Sequence, residues 1–228
     1  MTLNITRVDT PNGRFYQTPS GLLPSVNLIL DATTPEADRL KFEKWRSQHP
    51  NSYPARRGTL LHEAIAYLIN TGQPPISLDP EIQPYWNSIL PWLKIAGQTT
   101  SIIYPNTSER VAAVELAVYE PRLGYAGTLD WVGEWNKGTI ALVDFKSSHR
   151  HQRREWLTRY RLQCAAYQLA FEFLFNIEIS KIVIPIALPG RIAQVFEFHS
   201  EDMKQGQAQW LERLDQYQQI VREEKLLC

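Results

Sequence analysis

The chain has 228 residues, of which 43% are hydrophobic and 11% aromatic, and its 24 Lys and Arg cancel its 24 Asp and Glu. Such a composition belongs to a globular protein, and no run approaches the ~18 uninterrupted apolar residues that span a bilayer, so an integral membrane protein is excluded. A neutral chain also lacks the global positive field that advertises nucleic acid as a partner.

Residues 1–24 are rich in Pro, Gly, Asn and Thr, which predicts short strands and turns. Ser25 caps a helix through Val26, Leu28, Ile29 and Leu30; the pattern breaks between Asp31 and Pro35 and resumes over Glu36–Gln48. Leu60, Leu61, Ala64, Ile65 and Leu68 recur at helical spacing within Ala55–Thr71, which stops at Gly72. A further helical piece, about Asp79–Ala96, contains Pro84 and Pro91. Three strands follow, Val111–Tyr119, Tyr125–Trp135 and Thr139–Lys146, and the short loops between them, the second being Asn136-Lys-Gly, predict an antiparallel meander. A long helix over Glu155–Phe175, strands over Lys181–Leu188 and Ile192–His199, and a terminal helix from about Glu201 complete the chain. The expected fold class is α/β, a mixed β-sheet flanked by helices, with core order α-β-β-β-α-β.

One domain over residues 1–228 is expected, with N-terminal helical additions at about 25–96 and a catalytic core at about 55–188. Cys164 and Cys228 form no C-x-x-C pair, which excludes a cysteine zinc site and a four-thiolate iron–sulfur cluster. The first ten residues carry neither a secretion signal nor an organelle transit bias, so a cytoplasmic location with no membrane partner is expected.

Side chains alternate across a strand, so Asp144 and Lys146 emerge on one face while Val143 and Phe145 take the other. Charged residues at a strand end are ordinary, but the preceding strand carries Asp130, and an antiparallel hairpin brings it beside Asp144. Two adjacent carboxylates repel unless a cation neutralises them, and oxygen ligands suit Mg²⁺ or Mn²⁺. Arg150, Arg153, Arg154, Arg159 and Arg161 crowd one segment, either as a local phosphate-binding wall or as a solvated helix face.

Gly127-Thr-Leu-Asp130 followed by Val143-Asp-Phe-Lys-Ser147 resembles the G-x-x-D…D-[WYF]-K-[TS] signature of the RecB-type branch of the PD-(D/E)XK nuclease superfamily. Gly58-Thr-Leu-Leu-His62 resembles that branch's G-x-x-x-H motif, and Gln163-Cys-Ala-Ala-Tyr167 its Q-x-x-x-Y motif. Leu23-Pro-Ser-Val26, Phe42-Glu-Lys-Trp45, Glu115 and Trp210-Leu-Glu-Arg-Leu214 extend the likeness, over about residues 20–220, to the mitochondrial genome maintenance exonuclease subgroup. Leu129 stands where the superfamily's namesake Pro would be.

The resemblance implies a metal-dependent exonuclease that hydrolyses single-stranded DNA in repair or maintenance, with Asp130, Asp144, the Phe145 carbonyl and His62 around Mg²⁺ or Mn²⁺ and no iron–sulfur cluster. Lys146 would assist the attacking water or stabilise charge on phosphate, and Gln163 and Tyr167, one helical turn apart, would position water or substrate. Glu115 is a further acid that either reaches the site or is merely solvated. Arg153, Arg154, Arg159 and Arg161 are expected to contact DNA. Trp45, Trp86, Trp92, Trp131 and Trp135 are stacking surfaces or core residues. Any unwinding would need a helicase or other repair partner, since the chain has no phosphate-binding P-loop. The competing readings are an endonuclease of a phage or mobile element and a catalytically inactive nucleic-acid-binding relative.

Overall fold

The computed structural model describes residues 4–48, 54–96, 101–103, 110–135 and 139–227. The turn-rich N-terminus folds into an antiparallel meander of β1 (Thr6–Thr10), β2 (Gly13–Thr18) and β3 (Gly21–Pro24). Gly13 opens β2 at φ +120°, a left-handed backbone that favours glycine. Ser25 then caps α1 (Val26–Ala32), its Oγ accepting the Leu28 N–H at 3.0 Å, a bond of the kind worth about 1 kcal/mol.

Three helices follow: α2 (Glu36–Gln48), α3 (Pro54–Thr71) and α4 (Gln83–Ala96). The last starts four residues later than its hydrophobic pattern predicts. Asp79 diverts the chain into a turn by accepting the Glu81 N–H at 2.8 Å. A short ribbon of β4 (Ser101–Ile103) and β5 (Arg110–Ala112) precedes the main sheet.

That sheet has six strands. The chain lays down β6 (Val114–Glu120), β7 (Tyr125–Glu134) and β8 (Ile140–Val143) as an antiparallel meander. It continues through β9 (Lys146–Ser147), crosses over by α5 (Thr158–Phe175), and returns as β10 (Lys181–Ala187), parallel to both β8 and β9. β11 (Gln194–Phe198) pairs antiparallel with β10 at the edge, and α6 (Ser200–Leu227) closes the chain. The parallel pair needs a crossover of this length, which explains why a helix separates β9 from β10.

The sheet divides two cores. Leu129, Leu142, Ile182 and Ile184 face α1, α5 and α6, where Tyr125 stacks edge-on against Trp210 at 5.0 Å and donates to the Ala166 carbonyl at 2.9 Å. On the other side Trp131, Val143, Phe145 and Val183 meet Leu61, Ile65 and Ile69 of α3 and Trp86, Ile89 and Leu93 of α4. Trp86, Trp131 and Trp135 are thus core residues rather than stacking surfaces. The Trp45 side chain, the Asn136-Lys137-Gly138 turn and Cys228 lie outside the described residues. No helix among those described is long and apolar enough to cross a membrane.

Candidate active site

The centre of the β6–β7 pair departs from regular sheet. Val114 pairs with Trp131 and Leu116 with Leu129, so the register is continuous, yet the intervening Glu115 sits at φ 48°. Leu116 and Leu129 pack into the first core while Val114 and Trp131, two residues away, pack into the second. Strict alternation would keep each pair on one side. Both strands therefore change face at Glu115 and Asp130. A non-glycine residue in the left-handed region costs on the order of 1–3 kcal/mol, and such strain concentrates at functional sites.

The twist aims two carboxylates at α3. His62 lies beside the apolar stripe Leu61, Ala64, Ile65 and Ile69 that docks α3 on the sheet. Its Nδ1 is 3.4 Å from Asp130 Oδ1 and 3.7 Å from Glu115 Oε1. One ligand atom from each of His62, Glu115 and Asp130 lies within 4.8 Å of the others, a spacing that could hold a metal ion. His62 Nε2 also faces the Phe145 carbonyl at 2.7 Å, and the Phe145 N–H donates to Asp130 Oδ2 at 2.7 Å. That second bond explains why the predicted strand Thr139–Lys146 is interrupted at Asp144 and Phe145: the Asp130 carboxylate takes a backbone donor the sheet would otherwise use.

Asp144 sits on the other side of this break. Its carboxylate is 1% exposed, and Lys146 Nζ approaches Oδ2 at 2.6 Å. Neither carboxylate oxygen has an aligned hydrogen bond among the described residues, so the contact is an ion pair of poor direction, and Oδ1 is left orphaned. A buried oxygen of this kind calls for a cation or a water.

The electrostatics follow from this crowding. Burial works against a charged His62, but the Asp130 charge and its hydrogen bond, helped by Glu115, lift the imidazole from 6.5 to about 10. Burial likewise opposes ionised Asp130, yet His62, Lys146 and the Phe145 N–H hold its carboxyl below the ordinary range. Burial dominates at Asp144 and, with the Asp130 charge added, raises it to about 6 against the opposing pull of Lys146 and His62. Lys146 is raised despite burial, because Asp144 and Asp130 both favour its cation. Without a metal, His62 and Lys146 carry the charge that keeps the acids together.

A cleft of about 760 Å³ opens over these groups. Gln163 and Tyr167 reach its floor from α5, with the Gln163 amide donating to the Tyr167 hydroxyl at 3.1 Å. Gly127 lies beneath the Tyr167 ring, whose Cε1 is 2.4 Å from where a Cβ would stand. The glycine of one sequence motif is thus the space required by the tyrosine of another.

No protein-family model and no curated protein matches this chain. Solved structures do. A provisionally named exonuclease from Eubacterium rectale is 9% identical with a TM-score of 0.42, covering 88% of this chain and 69% of its own. A second structure, whose name states no activity, is 10% identical with a TM-score of 0.34, covering 82% of this chain and 87% of its own. Similarities this distant carry no functional weight, and the reading of the site rests on its geometry.

The structure brings together His62, Glu115, Asp130, Asp144, Phe145, Lys146, Gln163 and Tyr167. It does not bring Arg153, Arg154, Arg159 or Arg161 there. Arg154 pairs with Asp202 and Arg159 with Asp31, each at 2.8 Å, while Arg161 donates to Gln205 and Gln209. Arg153 lies over Trp156, at 5.3 Å from the ring centre. None of the four lines the cleft. Besides Lys146 and His62, its basic side chains among the described residues are Arg7 and Arg14, from the N-terminal meander. Arg57, 6% exposed on α3, is another contributor that sequence reasoning missed. It donates to Ser147 Oγ at 3.0 Å and meets His149 Nε2 at 2.7 Å, tying the helix that bears His62 to the segment after Lys146. Its only sequence signal is the serine that ends the D-F-K-S motif. Among the described residues, none from α2 or α4 lines the cleft, whereas the start of α1 does, through Asn27.

Proposed function

We propose that this chain is a metal-dependent nuclease of the PD-(D/E)XK superfamily, in its RecB-type branch, hydrolysing phosphodiester bonds of single-stranded DNA. The observation that carries the reading is the convergence of the His62, Glu115 and Asp130 donors in one cleft with Lys146, which lines the same cleft and pairs with the buried Asp144. The donor set fits a small divalent ion. It comprises carboxylates, one imidazole and the Phe145 carbonyl, and Asp144 Oδ1 has no hydrogen-bond partner among the described residues. Oxygen-rich sets of this kind favour Mg²⁺ or Mn²⁺. Once bound, such an ion supplies Lewis acidity beside a phosphoryl group.

The remaining work falls to the chain's own residues. Lys146 is held as a cation, so its role is to place positive charge where the transition state is most negative rather than to remove a proton. Tyr167, kept protonated by burial, has its hydroxyl oxygen engaged by Gln163 and its proton available to an oxygen in the cleft. Gly127 and Arg57 fix the elements on which these groups stand.

The test is hydrolysis of end-labelled single-stranded DNA with Mg²⁺ or Mn²⁺, abolished by a chelator and by Asp130→Asn. Failure of any nucleic acid to be cut under these conditions would reject the reading. Attack from a free end, a role in DNA repair and cooperation with a helicase are supported by the sequence resemblance alone. Equal cutting of circular and linear single strands would replace the exonuclease by an endonuclease.

A further inference from the structure

The two walls of the cleft differ in chemistry. One wall is α3, presenting Glu63 and the Tyr67 ring, which is 43% exposed. The meander forms another part of the lining. Arg7 pairs with Tyr16 across β1 and β2, and Asp9 with Arg14, so all four side chains share one face. The buried Tyr16 anchors that face to the floor, its hydroxyl 2.9 Å from the Thr128 hydroxyl on β7. Arg7 and Arg14 both grip Asp9, at 2.7 and 3.2 Å, which fixes the two guanidiniums side by side and leaves one net positive charge. They remain 50% and 39% exposed.

We infer that this asymmetry orients a polynucleotide strand: its phosphates lie along Arg7 and Arg14 and a base lies on Tyr67. The inference rests on the nuclease reading and adds the side on which the backbone runs. Arginine forks bind phosphate oxygens well and a tyrosine face accepts any base, so the site takes single-stranded nucleic acid without sequence preference. Glu63 on the Tyr67 wall disfavours the reverse placement, because it would repel phosphates there. A duplex would bury its bases away from Tyr67, so the aromatic wall contributes only to an unpaired strand.

Fluorescence anisotropy of a labelled oligothymidylate, with divalent ions chelated to prevent hydrolysis, reads the proposal. Arg7→Ala combined with Arg14→Ala should reduce the slope of log affinity against log salt by roughly 1.4, the share of two phosphate contacts on a single strand. Arg7→Lys with Arg14→Lys should keep most of that slope. Tyr67→Ala should weaken binding about tenfold at every salt concentration, and Tyr67→Phe, which keeps the ring, should retain most of the affinity. Mn²⁺ affinity by calorimetry should stay as in wild type throughout. A wild-type salt slope in the folded double-alanine variant, or a wild-type affinity in Tyr67→Ala, overturns the orientation while leaving the nuclease reading intact. A wild-type protein that neither binds nor cuts single strands rejects that reading instead.

Discussion

The Tyr167 ring occupies the space that a Cβ on Gly127 would fill, at 2.4 Å from ring carbon Cε1. Tyr167 is itself buried against the core, so the ring can yield only toward the cleft, away from its present place. Gly127→Ala should therefore cost about 1–3 kcal/mol, as overpacking does, and should lower activity by displacing the Tyr167 hydroxyl. Thermal unfolding of the two single variants and of Gly127→Ala with Tyr167→Ala tests the link. The pair should be strongly non-additive; additive losses would show that the two residues do not meet.

Glu115 sets function against stability. Glu115→Gly relieves its positive φ and should raise the unfolding temperature, since glycine adopts that region freely. It also removes a carboxylate from the metal group, so Mn²⁺ affinity and hydrolysis should fall. Melting curves beside calorimetry decide the matter. A variant that is less stable and binds Mn²⁺ as wild type does would assign Glu115 a structural role.

Protons and metal compete at His62. In the chelated protein its pKa of about 10, against 6.5 unfolded, gives stabilisation that is complete below 6.5 and lost as pH rises through about 10. Asp144, raised from 3.8 to about 6, works in the same direction at lower pH: its contribution is complete below 3.8 and gone above about 6. Chelated protein should thus become steadily less stable from mild acid to alkali. Binding of Mn²⁺ must displace the His62 proton, so metal affinity should instead increase with pH. Calorimetry in two buffers of different ionisation heat counts the proton released, and undiminished release in His62→Gln would point to another group.

Lys146 should separate metal binding from turnover. Lys146→Ala leaves every proposed ligand in place but strips charge from the transition state, so hydrolysis should drop by roughly 10²-fold or more while Mn²⁺ still binds. It also leaves Asp144 buried without its partner, a change that typically costs about 3–5 kcal/mol. Adding Asp144→Asn should recover part of that stability and none of the activity. Wild-type turnover in Lys146→Ala would reduce the lysine to a counter-ion.

The sequence by itself determined most of the elements and named the residues that the fold gathers around the cleft. Helical spacing of apolar residues marks α3, an apolar run marks β10, Ser25 marks a helix start, and alternation places Asp144 and Lys146 together, because these signals depend only on local geometry. The same locality does not show that Arg154, Arg159 and Arg161 stand outside the cleft. Their partners Asp202, Asp31, Gln205 and Gln209 are distant in sequence, and only packing of α1 and α6 on α5 brings them close enough to occupy those charges. Arg7 and Arg14 reach the cleft for the converse reason, since docking of Tyr16 on Thr128 carries a peripheral hairpin over the sheet. Glu115 is the intermediate case. Its identity is visible in the chain, but its reach depends on a left-handed backbone that a glutamate adopts only when both strands around it are held in register, and that constraint exists in the folded sheet alone.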